Sequence, residues 1–323
     1  MFHLSARRFF NSVLQFTTCV VLAFSGMSLA ADAFDPVGGS HIAVWRPSNG
    51  MWYVYNRTTG AVKSQQWGQA GDIPVPADYD GDGTTDFAIW RPSTGTWWVL
   101  ESKTGAGWWW QWGQKGDIPV PGRYFTNNVE LTVWRPSNGM WYALDPKTGT
   151  YRTKQWGLAG DVPVPGSYAT GGNPFLFPLP AFATYRPSKA TWYVTDVYGG
   201  RRPDFIWGEK TDKTVPADYN GDGVTDYAIW RPSTGVWWIV NSNFWTAPKG
   251  GKGQTQQWGQ VGDIPMPYDY DNDRRADMTV WRPSNGTWYI INSKSWTWLG
   301  YQWGQVGDVP VYYYVSPPPA IIK

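Results

Sequence analysis

Three acidic loops contain the residues best suited to chemistry. In the first, oxygen donors stand at alternate positions of a nine-residue segment: Asp78, Asp80, Asp82, the carbonyl of Thr84, and Asp86. Alternate positions converge on one centre when the chain curls, and Gly83 allows the sharp turn. Hard oxygen donors with several carboxylates and no nitrogen or sulfur suit Ca²⁺, whereas Mg²⁺ tends to keep its waters. The first loop is therefore predicted to bind calcium.

Two further loops repeat this arrangement. The donors of the second are Asp218, Asn220, Asp222, the carbonyl of Val224, and Asp226. Those of the third are Asp269, Asp271, Asp273, the carbonyl of Arg275, and Asp277. The third loop has Arg274 where the first two have a glycine, so we expect it to be weakened or distorted. The sequence predicts two calcium sites and a third, degenerate one, against the alternative of acidic turns without metal.

The chain that positions these loops is a sixfold repeat. One marker is Trp-Arg-Pro, which begins at Trp45, Trp90, Trp134, Trp230 and Trp281 and is replaced once by Tyr185-Arg-Pro. A second marker is Trp-Gly, which begins at Trp67, Trp112, Trp156, Trp207, Trp258 and Trp303. The two markers recur independently with the same number of copies, so the repeat is secure.

Each copy is predicted to form four short strands. In the second copy these are residues 72–79, 86–92, 96–102 and 107–113, which are rich in aromatic and β-branched residues and separated by turns. Four strands in a repeat of this length are typical of one β-propeller blade. A solenoid is the rival fold, but it needs polar terminal caps that the sequence lacks.

The ends of the repeat region predict closure into a ring. The region starts within a copy, at the strand of residues 41–47, and finishes with a first strand, residues 308–314, that has no successor. Pairing these two segments completes one blade and removes both open edges. We therefore expect an all-β, six-bladed β-propeller of four-stranded blades over residues 41–315, closed by pairing the C-terminal strand with the N-terminal strands.

The two ends of the chain are predicted to lie outside this domain. Arg7 and Arg8 precede an apolar stretch, and Ala30 ends a small-residue cleavage site, which is typical of a signal peptide over residues 1–30. Residues 31–40 form a short lead, and residues 316–323 a Pro-rich tail. We expect export to the periplasm, the cell surface or the medium, with no direct insertion into the membrane.

Composition and net charge exclude several functional classes. Without the leader, the 27 basic residues become 25 and balance the 25 acidic ones, and the single cysteine is lost. A neutral chain without a basic run argues against nucleic-acid binding. The lack of cysteine and the single remaining histidine, His41, exclude thiol nucleophiles and multi-histidine metal sites. We expect a monomer.

The repeat resembles a known family. Trp-Gly followed by Gly-Asp-Ile-Pro-Val-Pro, and then by the acidic loop of residues 78–86, is similar to the FG-GAP (VCBS-type) repeat of bacterial secreted proteins and integrin α propellers. The resemblance extends over residues 41–314. It implies a propeller whose acidic loops bind Ca²⁺, although integrin propellers have seven blades and this sequence supports six.

The 25 tryptophans are the second group of residues that could bind a ligand. Those at repeated positions are interpreted as packing between blades. Among the others, Trp108 and Trp110 share one strand face by alternation, as do Trp296 and Trp298. Exposed, they would form platforms for sugar rings or for a protein partner; the alternative is burial of an aromatic strand against its neighbour.

These observations predict a secreted, calcium-stabilised propeller that binds carbohydrate and acts in recognition or adhesion. The alternative is a protein-interaction scaffold for a cell-surface partner, similar to the integrin propeller. A polysaccharide hydrolase or lyase is the third hypothesis. Glu101, Glu130 and Glu209 are among the carboxylates that have no assigned structural role. No pair of carboxylates is singled out for glycoside hydrolysis, so we expect a protein that is not an enzyme.

Overall fold

The computed structural model describes residues 41–168, 181–242 and 253–311. The predicted signal peptide, the lead of residues 31–40 and the Pro-rich tail lie outside the described residues. Within them, 24 strands form six four-stranded antiparallel sheets. The predicted all-β, six-bladed propeller of four-stranded blades is confirmed.

The blades are numbered from the N-terminus. Blade 1 contains β1 (His41–Arg46), β2 (Met51–Asn56), β3 (Val62–Gln66) and β24 (Val309–Pro310). Blade 2 contains β4 (Ile73–Pro74), β5 (Phe87–Arg91), β6 (Thr96–Leu100) and β7 (Gly107–Gln111). Blade 3 contains β8 (Ile118–Pro119), β9 (Leu131–Arg135), β10 (Met140–Leu144) and β11 (Tyr151–Gln155).

The second half repeats this order. Blade 4 contains β12 (Val162–Pro163), β13 (Phe182–Arg186), β14 (Thr191–Thr195) and β15 (Phe205–Ile206), with a 3-10 turn at Pro187–Lys189. Blade 5 contains β16 (Lys213–Thr214), β17 (Tyr227–Arg231), β18 (Val236–Val240) and β19 (Gln254–Gln257). Blade 6 contains β20 (Ile264–Pro265), β21 (Met278–Arg282), β22 (Thr287–Ile291) and β23 (Trp298–Gln302).

The ring closes in blade 1 as predicted. β24 pairs antiparallel with β1, with Val44 opposite Pro310 and Trp45 opposite Val309. The N–H of Val311 also donates to the carbonyl of Ala43 at 2.9 Å. Three strands from the start of the repeat region and one from its end therefore make one blade.

The first strand of each blade is shorter than the sequence predicts. β4 has two residues, Ile73–Pro74, where residues 72–79 were expected. Pro74 and Pro76 have no N–H to donate, so the ladder is interrupted, and it resumes only at the bridge between Ala77 and Asp86. The N–H of Val75 still donates to the carbonyl of Ala88 at 2.8 Å.

The hydrophobic core lies between neighbouring blades. One cluster joins Val75, Trp90 and Trp97 of blade 2 with Leu131 and Val133 of blade 3, and every one of these side chains is fully buried. Five similar clusters occupy the remaining interfaces among the described residues. Each blade is therefore stabilised by its neighbours rather than by a core of its own.

The repeated tryptophans bond the blades to one another. Trp97, fully buried in blade 2, donates its indole N–H to the carbonyl of Trp112 in the same blade at 2.8 Å. Trp112 in turn donates to the carbonyl of Tyr142 in blade 3 at 3.1 Å. The same bond runs from blade 6 to blade 1, where Trp303 donates to the carbonyl of Tyr53 at 3.0 Å. The interpretation of the repeated tryptophans as interblade packing is confirmed.

Antiparallel order gives each blade two distinct ends. The connection from first to second strand and the turn from third to fourth strand lie together at the loop end, which bears the acidic loops. The Arg-Pro turn and the link to the next blade lie at the opposite, arginine end. Among the described residues, no helix has the length and apolar character needed to cross a bilayer.

Candidate functional site

The first acidic loop folds around its own first carboxylate. Asp78 accepts hydrogen bonds from the backbone N–H groups of Gly81 at 2.7 Å and Gly83 at 3.2 Å. Asp82 accepts the N–H of Thr84 at 2.7 Å. Gly83 has φ of +84°, which glycine adopts without steric cost. The turn predicted at Gly83 therefore forms, and it wraps the chain around one point.

The donors of this loop converge. Carboxylate oxygens of Asp78, Asp80 and Asp86 all lie within 4.8 Å of one another. The N–H of Thr84 bonds to Asp82, while within the described part of the chain no hydrogen bond ends on the Thr84 carbonyl. A cluster of carboxylates beside an open carbonyl fits the oxygen-ligand set of Ca²⁺.

The last carboxylate of each loop ties the loop to the body of its blade. Asp86 accepts the N–H of Tyr79 at 2.9 Å and that of Ser102, in the third-to-fourth-strand turn, at 2.9 Å. Asp226 and Asp277 repeat both contacts, the latter with Tyr270 at 3.0 Å and Ser293 at 2.8 Å. Burial, together with the charge of neighbouring carboxylates, raises the pKa of all three carboxyls to about 7. A bound cation would offset both effects.

The second loop follows the path of the first. Asp218 accepts the N–H groups of Gly221 and Gly223, both at 2.7 Å. Asp222 accepts the N–H of Val224 at 2.9 Å, again leaving the Val224 carbonyl without a hydrogen bond within the described part of the chain. Asn220 donates from its amide to Asp222 at 3.0 Å. The hydrogen bonds that fold the first loop are therefore repeated here, whereas the close carboxylate clusters among the described residues are those of the first and third loops.

The third loop keeps this backbone without its glycines. Arg274 has φ of +71° and Asn272 φ of +63°, where the second loop has Gly223 and Gly221. The N–H of Arg274 donates to Asp269 at 2.8 Å, as Gly223 does to Asp218. The missing glycine therefore costs local strain but leaves the path of the chain intact.

The third loop also has an open acceptor. Carboxylate oxygens of Asp269, Asp271 and Asp273 lie within 4.8 Å of one another. Asp273 accepts the N–H of Arg275 with one oxygen, at 2.9 Å, while its other oxygen is buried without a hydrogen-bond partner. A buried carboxylate oxygen without a partner is costly, and a cation among the three carboxylates would satisfy it.

The loops also connect neighbouring blades. The N–H of Ala276 in the third loop donates to the carbonyl of Asp218 in the second at 2.7 Å. Arg123 of blade 3 lies 3.9 Å from Asp78, and Lys103 lies 3.4 Å from Asp82. Ordering of an acidic loop therefore affects an interface as well as a single blade.

The corresponding loop of blade 3 lacks the carboxylate cluster, but its last carboxylate still accepts hydrogen bonds from the backbone. Glu130 replaces the last aspartate, is 2% exposed, and accepts the N–H groups of Tyr124 at 2.8 Å and Phe125 at 3.0 Å. Burial raises the pKa of Glu130 to about 7, and the charge of Asp145 adds to the effect. Glu130, counted above among the unassigned carboxylates, holds this loop closed.

Replacement of Glu130 by glutamine should flatten the pH dependence of stability. Because the folded pKa is raised to about 7 from an ordinary 4.5, the folded state binds this proton more tightly, and stability falls as pH rises from 4.5 to 7. The change is on the order of 3 kcal/mol. Glutamine keeps an acceptor but carries no charge, so Glu130→Gln should exceed the wild type in stability at pH 8.

Urea unfolding in EGTA between pH 4.5 and 8 measures this effect. Asp204→Asn, at an exposed ion pair with Arg201, is the control and should leave the profile unchanged. A Glu130→Gln profile parallel to that of the wild type would contradict the assignment.

The first pair of predicted ligand tryptophans is half-buried. Trp108 packs edge-on against Tyr79 at 6.1 Å, and Trp110 packs against the core between blades 2 and 3. Trp109 points to the other face, 6.0 Å from Trp98, as strand alternation predicts. Ligand binding by Trp108 and Trp110 remains a prediction.

The second pair is open to solvent. Trp296 is 55% and Trp298 66% exposed, and Leu299 beside them is 37% exposed. Trp298 begins β23, but Trp296 lies before it, in the turn from β22, so the expected strand alternation does not relate the two. The ring of Trp298 extends over Gly300, which has no side chain to cover it. We call Trp296 and Trp298 the aromatic platform.

Trp296 occupies a position that other blades give to glycine. Its N–H donates to the carbonyl of Asn292 at 2.9 Å, as Gly60, Gly105 and Gly149 do to the residue four before each of them. These glycines have φ of +69° to +75°, and Trp296 has φ of +57°. A large side chain in this region is uncommon and strained.

The arginine end carries a group that sequence reasoning only partly anticipated. In each blade the repeated arginine makes a bidentate pair with the repeated aspartate, as Arg91 does with Asp72 at 2.8 and 2.9 Å. The aromatic residue below each guanidinium was missed, although Tyr53, Trp98, Tyr142, Tyr193, Trp238 and Tyr289 recur at a fixed spacing from the arginines.

No protein-family model and no curated protein matches the chain. Among solved structures it is similar to catalytically inactive virginiamycin B lyase from Staphylococcus aureus with quinupristin, at 8% identity and a TM-score of 0.50, covering 84% of this chain and 87% of that one. A streptogramin B lyase gives 10% identity, a TM-score of 0.49, and coverage of 84% and 87%. A chain of a mitotic checkpoint complex gives 11%, 0.47, and coverage of 95% and 93%. The likeness to the virginiamycin B lyase structure supports the β-propeller fold.

The comparisons correct one prediction. The expectation that this protein is not an enzyme is wrong as drawn, because a solved structure that it resembles is a virginiamycin B lyase. That expectation rested on residue types, namely the lack of cysteine, the single histidine and the lack of a singled-out pair of carboxylates, and one fold supports many functions. The propeller part of the family resemblance is confirmed, whereas no family model supports the FG-GAP assignment.

Proposed function

We propose that this chain is an exported, calcium-binding propeller of the FG-GAP type that recognises carbohydrate. Ca²⁺ would be held by the three acidic loops, and the sugar would stack on the aromatic platform of blade 6. Indole faces bind the apolar faces of sugar rings, and a chain of balanced charge does not require a charged ligand.

The observation that carries this proposal is the backbone of Trp296. The turn from third to fourth strand needs a residue with positive φ, and three other blades use glycine there. Tryptophan at this position is strained by about 1 kcal/mol or more, and more than half of its surface stays exposed. A residue that neither relieves the turn nor fills the core is best explained by what it binds.

The third acidic loop supports the platform. Asp277 accepts the N–H of Ser293 at 2.8 Å, three residues before Trp296 in the same turn. Ion binding by this loop would fix Asp277 in its charged form and thereby hold the turn. Chelation should therefore weaken sugar binding as well as stability.

A glycan array tests the proposal, with calcium-loaded protein compared with protein in EGTA. Trp298→Ala should weaken binding at least tenfold, which is about 1.4 kcal/mol. Trp296→Ala removes the ring but retains the strain, whereas Trp296→Gly removes both. Both Trp296 variants should lose binding, and only Trp296→Gly should gain stability, by about 1 kcal/mol.

Tyr198→Ala is the matched control, since Tyr198 is an 81% exposed aromatic residue in the corresponding turn of blade 4. It should bind as the wild type does. No glycan binding by folded, calcium-loaded protein would overturn the proposal, and capture of a cell-surface protein would then favour the scaffold alternative.

A further inference from the structure

A cleft at the arginine end lies between blades 1 and 2. It has a volume of about 200 Å³ and is lined by Gln66, Trp67, Gly68, Ile89, Arg91 and Trp98. Trp67 fixes one wall, because its indole N–H donates across the interface to the carbonyl of Trp98 at 3.1 Å. The lining combines two indoles, an amide and a guanidinium, a mixture of apolar faces and a few polar groups that suits a small polar ring.

Comparison of the six blades shows what is unusual here. In blades 1 and 4 the third nitrogen of the arginine, Nη1, donates to a tyrosine hydroxyl: Arg46 to Tyr53 at 3.1 Å and Arg186 to Tyr193 at 3.2 Å. Tyrosines also lie below the arginines of blades 3 and 6, with ring centroids 4.3 Å from the guanidinium. In these four blades a hydroxyl therefore lies beside the guanidinium.

The other two blades have tryptophan instead, and they differ from each other. In blade 5 a second carboxylate, Glu209, lies 2.9 Å from Nη2 of Arg231 in addition to Asp212, so two negative charges flank this guanidinium. In blade 2 Asp72 is the single carboxylate paired with Arg91, which lies over the ring of Trp98, and Nη1 of Arg91 has no hydrogen-bond partner in the described part of the chain. The Arg91 side chain keeps 20% of its surface exposed. A donor is therefore available in this cleft.

We infer that the cleft between blades 1 and 2 binds one neutral pyranose ring, a hydroxyl of which accepts from Arg91 Nη1. Asp72 already neutralises the arginine, so the cleft does not call for an anionic ligand. The ring face would pack on Trp67, and the Gln66 amide offers a further hydrogen bond. This inference rests on the proposed function for the class of ligand, but it places a second site on the opposite end of the propeller from the aromatic platform.

Calorimetric titration of the calcium-loaded protein with neutral methyl glycosides, and with a methyl glucuronide in parallel, tests the cleft. The titrations are made in the Trp298→Ala background, which removes the aromatic platform, and there we expect one site for a neutral glycoside. Trp98→Tyr should weaken it at least tenfold, because the new hydroxyl would occupy Nη1 as in blades 1 and 4, an arrangement that the fold already accepts. Trp238→Tyr is the matched control and should bind as the wild type does.

A gain of function completes the test. Tyr53→Trp removes the hydroxyl that Arg46 uses and should create a second site, so that the stoichiometry rises from one to two. On the glycan array Trp298→Ala should weaken binding at least tenfold, while calorimetry of the same variant still shows the cleft site for a neutral glycoside, which separates failure of the cleft from failure of the platform. Unweakened binding by Trp98→Tyr, binding restricted to the glucuronide, or no glycoside binding would overturn the inference.

Discussion

Removal of calcium is expected to lower the melting temperature by roughly 10–20 °C. A ligand that binds only the folded state stabilises it by about 3–4 kcal/mol per site at a hundred to a thousand times its Kd. The first and third loops each gather three carboxylates that repel one another when no cation lies among them, and the second and third loops share an interblade hydrogen bond. Scanning calorimetry in Ca²⁺ and in EGTA measures the difference.

Variants assign this effect to the loops. Asp218→Asn with Asp222→Asn should remove the response of the second loop and reduce the calcium-dependent shift by about a third. Asn127→Asp, in the loop of blade 3 where the other donors are missing, is the control and should add no response. Identical melting curves in Ca²⁺ and EGTA would show that the acidic loops hold no ion that matters to the fold.

Replacement of Asp308 by alanine should destabilise the ring by about 3 kcal/mol. The Asp308 side chain is fully buried and makes two hydrogen bonds, at 2.7 and 2.9 Å, to Arg46, which is left without its carboxylate partner when Asp308 is removed. The same aspartate lies beside the β24–β1 pairing, so the cost falls on the contact that closes the propeller.

Asp72→Ala is the natural comparison. It removes the same bidentate pair in blade 2, where the partners are 19 residues apart rather than 262. Both variants should lose similar free energy of unfolding, but only Asp308→Ala should increase hydrogen exchange selectively in β1 and β24. If hydrogen exchange increased uniformly in both variants, the closing contact would contribute no more to the stability of β1 and β24 than to the other strands.

The repeat markers were enough to predict most of the fold. Two tryptophan motifs fixed the number of blades, and the incomplete copies at each end predicted the closure between β1 and β24. The length of the first strands was overestimated, because residues 72–79 look extended in sequence while Pro74 and Pro76 cannot donate to a ladder. Local composition predicts extended backbone here, but the pattern of N–H groups decides how much of it pairs.

Some features of the candidate site could be predicted from the sequence, and others could not. Donor spacing was enough to locate the acidic loops. The tolerance of Arg274 and Asn272 for positive φ was not foreseen, since it depends on hydrogen bonds from the surrounding loop. The free Nη1 of Arg91 could not be predicted, because it depends on which group lies beside each guanidinium in space. The sequence of one repeat does not contain that information.

The hydrogen bond from each Trp-Gly tryptophan to the following blade gives the ring a direction. As the chain emerges during synthesis, every later blade meets a donor that the previous blade already presents. Blade 1 is the exception: the carbonyl of Tyr53 is made early, and its donor, Trp303, follows 250 residues later. The first blade to be made is therefore the last to be completed, and until then its β1 edge is open to the wrong partner. Any cellular factor that protects this protein before it folds would act on that edge.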